Sequence, residues 1–288
     1  MGTSLKAIRV GGVPEHFNMP WHWANETGLF ANQGIELKWT DFPGGTGAMS
    51  HALRAQELDV AIVLTEGIVA DIVNGNPSKI IQFYVTSPLI WGIHVPAHST
   101  IQQVSELATK PFAISRKGSG SHLMASIMGQ DLKWDQSKLQ YEIVGNLAGA
   151  RAAMATGKAY GFLWEKFTTQ PYVDNGEFRR VGELPTPWPC FSIAVTEAFL
   201  NQESALLRKM LQVLNQVCAT WKQQERIVER IADRYGLKPD EVGKWLEITE
   251  WNTKAGVDAS SLDQVLEKLH ANQIITGLPE AMSAAIIA

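Results

Sequence analysis

The sequence predicts an α/β protein of two lobes with a helical C-terminal part. Its 288 residues suit about two domains at roughly 150 residues each. With 45% hydrophobic and 19% charged residues it can bury a large core and lacks the signature of a disordered chain. Short apolar runs also alternate with helix-period stretches, the pattern of βα units that feed a largely parallel sheet.

Residues 8–12 read as a strand. Asn18 is placed to cap a helix in which Trp23, Thr27 and Phe30 share one face, and Gly34 is placed to end it. A strand over 35–40 follows, then a helix over 46–57 with Met49, Ala52 and Leu53 inward, a continuous apolar strand over 58–64 and another strand over 80–85. After an extended segment at 91–95 come a helix over 104–108 and a strand over 112–115. The βα rhythm then restarts: a helix carries Leu123 and Ile127, a strand covers 141–144, and Asn146 caps a helix with Leu147, Ala150 and Met154 inward before Gly157. A strand over 160–164 closes this set. Prolines 185, 187 and 189 forbid helix around Trp188, and an apolar strand resumes over 191–195. Beyond Asn201 the chain reads as helical: Leu206, Met210, Val213, Leu214 and Val217 mark a long helix, with further helices before Gly236, after Pro239 and over 261–270.

Several function classes lose support. A net charge of −4 argues against a surface built on nucleic-acid phosphates. Only two cysteines, Cys190 and Cys218, are present, so a disulfide framework or zinc ribbon is not expected. No stretch approaches the roughly 18 apolar residues of a membrane span, and no signal peptide is read at the start. A cytoplasmic location is expected if this N-terminus is native, a periplasmic one if an export signal has been removed. Gly118-Ser-Gly120-Ser-His-Leu123 lacks the third glycine and the acidic partner of a dinucleotide fingerprint. There is no Walker lysine motif, nucleophile elbow or His-Glu-x-x-His, and His16 and His22 flank Pro20 and share no helix face. No metal, cofactor or catalytic residue is expected.

The loops after strands carry the remaining signal, since ligands of doubly wound sheets bind outside the carboxyl ends of strands. They are His16, Phe17 and Asn18; Gly44, Gly45 and Thr46; Thr65 and Glu66; Ser119, Gly120, Ser121 and His122, preceded by Lys117; and Trp164 with Glu165. Glycines admit close approach, and helix starts at Gly45-Thr46 and Ser119–Ser121 offer backbone N–H groups to an anion or carbonyl. Read individually, Thr46 and Ser119 are equally well N-caps; Trp164 also fits the core, as a tryptophan ending an apolar strand usually does, and Trp21, Trp39 and Trp221 are read as core.

The order of Trp23 to Phe30 before Gly34-Ile35-Glu36-Leu37, Phe42-Pro-Gly-Gly45, Leu58-Asp59-Val60-Ala61, Val95-Pro-Ala-His-Ser-Thr-Ile101, Lys117-Gly-Ser119 and Ala150-Arg-Ala-Ala153 resembles the type II periplasmic-binding-protein fold. Within it, the chain is similar to the solute-binding proteins for nitrate, alkanesulfonate, taurine and thiamine-pyrimidine precursors. That resemblance implies mixed sheets flanked by helices. Lobe 1 would take 1–90 plus 190–288 and lobe 2 would take 91–189, joined by hinge crossovers near 86–95 and 185–191. Ser87, Trp91 and Trp188 on those crossovers join the expected ligand set. Two departures stand out: Trp164-Glu165-Lys166 replaces a frequent Trp-Asp-Pro, and Glu66 stands where a small residue is common. The cysteine-rich motif of pyrimidine-synthase relatives is absent.

The expected function is a non-catalytic, monomeric small-molecule binder that closes two lobes on its ligand and serves an ABC-type permease, without inserting into the membrane. The alternatives are a cytoplasmic enzyme of the menaquinone-pathway kind, with His16, Glu66, His122 and Glu165 as acid–base candidates, or an intracellular ligand sensor. Two carboxylates in a cleft favour an aminopyrimidine or amine, because a buried carboxylate needs a cation or a proton. The competing ligand is a sulfonate or carboxylate on Ser119, Ser121 and Lys117.

Overall fold

The computed structural model describes residues 5–277. Strands β1 (Lys6–Gly12), β2 (Ile35–Asp41), β3 (Val60–Leu64), β4 (Ser78–Val85) and a late strand, β10 (Phe191–Thr196), form one sheet in the order β2-β1-β3-β10-β4. β1 pairs in parallel with β2 and β3, whereas β10 lies antiparallel to both β3 and β4. The second sheet contains β5 (Ile90–Pro96), β6 (Pro111–Ile114), β7 (Gln140–Ile143), β8 (Gly161–Glu165) and β9 (Phe178–Pro185) in the order β7-β6-β8-β5-β9. It repeats the same plan, with three parallel strands and then β5 antiparallel to β8 and β9.

Each sheet is the core of its own unit. Residues 5–87 and Trp188–Glu267 make the first, and Pro88–Pro187 with Lys268–Thr276 make the second. Val60, Ala61, Ile62 and Val63 are all inaccessible, so β3 is covered on both faces, which explains its unbroken apolar run. In the second unit Ala113, Ala150, Ala153, Met154, Phe162 and Phe178 form one cluster under Trp164 and Tyr172.

The helices of the first unit are α1 (Met19–Glu26), α2 (Gly45–Arg54), α3 (Thr65–Val73), α7 (Glu197–Thr220), α8 (Ile227–Tyr235) and α9 (Pro239–Ile248). Those of the second are α4 (Gly120–Asp131), α5 (Leu147–Ala155) and α6 (Gln170–Asp174). α10 (Ala259–Ala271) contains Glu267 and Lys268, which belong to the first and second units in turn.

Several elements differ from the sequence reading. α1 stops at Glu26, because Gly28 turns left-handed at φ 74°, and Gly34 closes only the short 3-10 turn Ala31–Gln33, leaving Thr27 and Phe30 outside the helix. Asn18 stands at the start of α1 but its side chain turns back to the Val13 carbonyl (2.8 Å) instead of capping. α3 follows β3 without a break, so Thr65 and Glu66 open a helix rather than lie in a loop. β9 was not anticipated: it is an edge strand whose half-buried, charged sequence dilutes the apolar pattern. Asn146 and Ser119 do cap, accepting from Gly149 N at 3.0 Å and His122 N at 3.4 Å. Trp21 and Trp221 are fully buried, whereas Trp39 is only half-buried and donates to Asp41 at 2.8 Å.

β6 and β8 meet at Phe112 and Gly161, which are register partners. A Cβ on Gly161 would sit 2.4 Å from the buried Phe112 ring, so the aromatic occupies the space that the glycine leaves. Gly161→Ala is therefore expected to destabilise the protein by about 1–3 kcal/mol through overpacking, and Phe112→Leu in the same chain to recover part of the loss. Urea midpoints of the parent chain, the single variant and the double variant check this.

Candidate functional site

In the first unit the carboxyl ends of β1, β2, β3 and β4 lie at one edge of the sheet, together with the start of the antiparallel β10. His16, Phe17, Asn18, Gly44, Gly45, Thr46, Thr65, Glu66, Ser87 and Trp188 all follow or precede those ends, so ten of the expected ligand residues gather there. Their chemistry divides them.

The loop after β1 folds down as a 3-10 turn, His16–Asn18. The Phe17 carbonyl accepts from Tyr84 Oη at 2.8 Å and from Trp251 Nε1 at 3.1 Å, anchoring the turn. The His16 ring lies 4.2 Å from Trp245 and 4.9 Å from Phe17, and Phe17 packs 5.0 Å from Phe191. Burial holds the His16 imidazole down at about 3, so at neutral pH it is an uncharged member of an aromatic core. Gly45 adopts φ 68° to turn the chain into α2, and Thr46 Oγ1 accepts from Leu64 N at 2.9 Å, tying α2 to the end of β3. Thr65 pairs with Ser192 at 2.9 Å, and Ser87 Oγ accepts from Glu250 N at 3.1 Å.

Glu66, in the first turn of α3, is 1% exposed. Its Oε2 accepts from Trp188 Nε1 at 2.9 Å, and its Oε1 has no hydrogen-bond partner among the described residues. Burial pushes the carboxyl up to about 7, against the opposing pull of its own backbone N–H and of Trp188.

The second unit gathers Trp91, Ser119, Gly120, Ser121, His122, Trp164 and Glu165 in the same way, at the carboxyl ends of β6 and β8 and the start of β5. The Ser119 and Ser121 hydroxyls bond to each other at 3.0 Å, and Ser121 Oγ accepts from Ser115 N at 3.1 Å. His122 Nδ1 accepts from Gly118 N at 3.1 Å, which places the ring proton of the neutral imidazole on Nε2. Burial, then Lys117, lowers its pKa. Trp91 and Glu165 are register partners across β5 and β8. Glu165 Oε2 accepts from Thr168 N at 2.6 Å; burial raises its pKa, while bonds from Thr168 and Phe167 and the charge of Arg180 oppose the rise. Trp164 stacks on Phe162 at 5.4 Å. The Trp91 Nε1 donor is buried without a hydrogen-bond partner among the described residues, as is the Asn18 Oδ1 acceptor in the first unit.

Sequence reading missed Arg180 and Thr168 beside Glu165, and Tyr84 and Trp251 behind Phe17. Arg180 lies on the unanticipated β9, where alternation around Arg179-Arg180-Val181 is the only signal. Thr168 acts locally, in the turn just after Glu165, whereas Tyr84 and Trp251 reach the Phe17 carbonyl from far along the chain. Among the described residues no three His, Cys, Asp or Glu side chains gather as metal ligands, and no helix is long and apolar enough to cross a membrane.

Residues 91–184 match the family model described as Ca3427-like PBP. The chain is similar in structure to the Candida albicans CA3427 gene product, described as defining a new family with the generic periplasmic binding protein fold. That match has 22% identity, a TM-score of 0.90, and covers 98% of this chain and 96% of the other. The alkanesulfonate-binding protein SsuA from Xanthomonas axonopodis pv. citri, bound to MOPS, matches at 16% identity and TM-score 0.82, with 99% of each chain covered. The periplasmic nitrate-binding protein NrtA from Synechocystis PCC 6803 matches at 12% identity and TM-score 0.75, covering 98% of this chain and 85% of that one. No curated protein matches the sequence.

The buried Glu66 has a consequence for stability. Below about 4.5 the carboxyl is neutral in both folded and unfolded chains; as pH rises from about 4.5 to about 7, the folded protein holds a proton that the unfolded chain has released, so stability falls across that window and levels off above it. Across that window Glu66→Gln is expected to gain on the order of 3 kcal/mol relative to the parent chain. Urea midpoints at a series of pH values check this, and a difference that stays constant with pH would count against it.

Proposed function

Starting from the type II periplasmic-binding-protein fold, we propose that this chain is a non-catalytic small-molecule receptor, the solute-binding component of an ABC-type import system. The observation that carries the reading is that each unit gathers its expected ligand residues at the carboxyl edge of its own sheet, with backbone N–H groups of α2 and α4 beginning there. The similar structures whose titles name an alkanesulfonate-binding and a nitrate-binding protein support it. In this reading the lobes are 1–90 with 190–288 and 91–189. Ligand contact with the loops of both would bend the crossovers at 86–95 and 185–191.

The ligand we favour carries a basic or donor-rich head, such as an amine or aminopyrimidine. Glu66 supports this with a buried acceptor left open, and part of the hydroxyl capacity of Ser119 and Ser121 is spent on each other. An anionic head remains the competing reading, with the start of α4 and the His122 Nε2 donor in its favour. An acid–base enzyme is less well supported, because His16 is held neutral within aromatic packing.

A thermal-shift screen across amines, aminopyrimidines, alkanesulfonates, nitrate and aromatic carboxylates tests the proposal. A ligand at about 100 times its Kd adds about 2.7 kcal/mol, which is expected to raise Tm by about 4 °C in a chain of this size. The ligand should be recovered chemically unchanged, with a smaller radius of gyration in solution scattering. A hit that is consumed would move the reading to an enzyme.

A further inference from the structure

The two buried carboxylates do not have the same environment. Glu165 is engaged by the turn that follows β8, where Thr168 N reaches it at 2.6 Å and the Arg180 charge acts on it. Glu66 receives one side-chain donor, Trp188 Nε1, on Oε2, and Oε1 is left without a hydrogen-bond partner among the described residues. A buried acceptor in that condition is costly, and the cost is removed when a ligand supplies the missing donor.

We infer that Glu66 selects the ligand, with Oε1 receiving an N–H of a cationic nitrogen head and Trp188 positioning the carboxyl; this rests on the receptor reading above. A cationic head is favoured over an acceptor head for two reasons. A charge-assisted N–H···O bond is roughly twice as strong as a neutral one. The donors already in place, Trp188 Nε1 and the Glu66 backbone N–H, both favour the ionised carboxylate. Among the described residues no charged side chain is a cause of the Glu66 shift. α3 packs on α2, β3, β4 and β10. The titratable groups those elements carry are His51 and Arg54 on α2, Asp71 on α3, Lys79 and Tyr84 on β4, with Cys190 just before β10, and none is a cause of the Glu66 shift. Trp188 is also the residue at which the chain re-enters the first unit. Occupation of Oε1 is therefore linked, through one hydrogen bond, to the crossover that carries Trp188.

Calorimetric titration with four probes of one shape and opposite head charge tests this: benzamidine and benzylamine against benzoate and benzenesulfonate. The expected result is that the cations bind. Glu66→Gln, folded by its melting curve, weakens them by about 10- to 100-fold. Glu36→Gln, which removes an exposed carboxylate on β2 paired only with Lys38, leaves them within about threefold. In the parent chain, benzamidine affinity should fall about tenfold per pH unit below about 7, and this dependence should disappear in Glu66→Gln. Trp188→Phe, which removes the donor that favours the carboxylate, should move the midpoint of that dependence upward, a change that loss of packing alone does not produce. If benzamidine binds with equal affinity to Glu66→Gln, the inference is overturned. If benzoate or benzenesulfonate binds instead, and Ser119→Ala rather than Glu66→Gln weakens it, the receptor reading stands and this inference fails. If neither these probes nor the wider screen gives any binding, both fail.

Discussion

The pairing of β10 between β3 and β4 is the constraint on which the first unit depends. Phe191 stands opposite both Leu64 and Val85, so a strand from late in the chain is held at the carboxyl ends of two strands formed early. Through this register Ser192 reaches Thr65, the Cys190 carbonyl receives Thr65 N at 3.0 Å, and Trp188 arrives at Glu66. Without β10 the helix start at Thr65 would lose the groups that fix it, and Glu66 would be open to water. The ladder is hydrogen-bonded on both sides and its residues are buried, so this is among the parts of the unit least able to open locally.

The same sheet plan appears in the second unit with a different use of its antiparallel strand. β5 begins at the carboxyl end of β8, where Trp91 sits opposite Glu165. There the neighbouring carboxylate is satisfied by the turn that follows, and its environment includes Arg180 from β9. Two glutamates in comparable positions thus differ in what their surroundings supply: one is held by a turn, the other has one side-chain donor, the Trp188 indole, besides its own backbone N–H. Burial alone raises both carboxyls, and the difference lies in the opposing hydrogen bonds.

The aromatic residues around the first loop act as scaffolding for that edge. Trp221, Trp245 and Trp251 meet edge to face at 4.6 to 6.5 Å, and Trp245 also touches His16 and Phe17. The helical part of the chain is in this way packed against the loop after β1, and Trp251 and Tyr84 hold its backbone through the Phe17 carbonyl. His16 and Phe17 position the edge from below. Asn18 Oδ1 and Glu66 Oε1 are buried acceptors at this edge without a hydrogen-bond partner among the described residues, as the Trp221 and Trp245 Nε1 donors are among the aromatic residues.

The sequence by itself determined the local features: strands from unbroken apolar runs, helix starts from Asn146 and Ser119, and the loops after strands as the places where ligand residues gather. Those signals are short-range, since hydrophobic period and capping need only a few neighbouring residues. It did not determine where α1 stops, because Gly28 and Gly34 are equally good terminators on paper. Nor did it show β9, whose edge position lets charged residues interrupt the pattern. Only the tertiary structure decided that His16 is a neutral core residue, that Glu165 is engaged by its own turn and that Glu66 keeps an open oxygen. The physical reason is that desolvation is set by the whole fold and that partners such as Trp188 for Glu66 lie far apart in sequence, while even the local bond from Thr168 to Glu165 depends on a turn that no residue pattern marks.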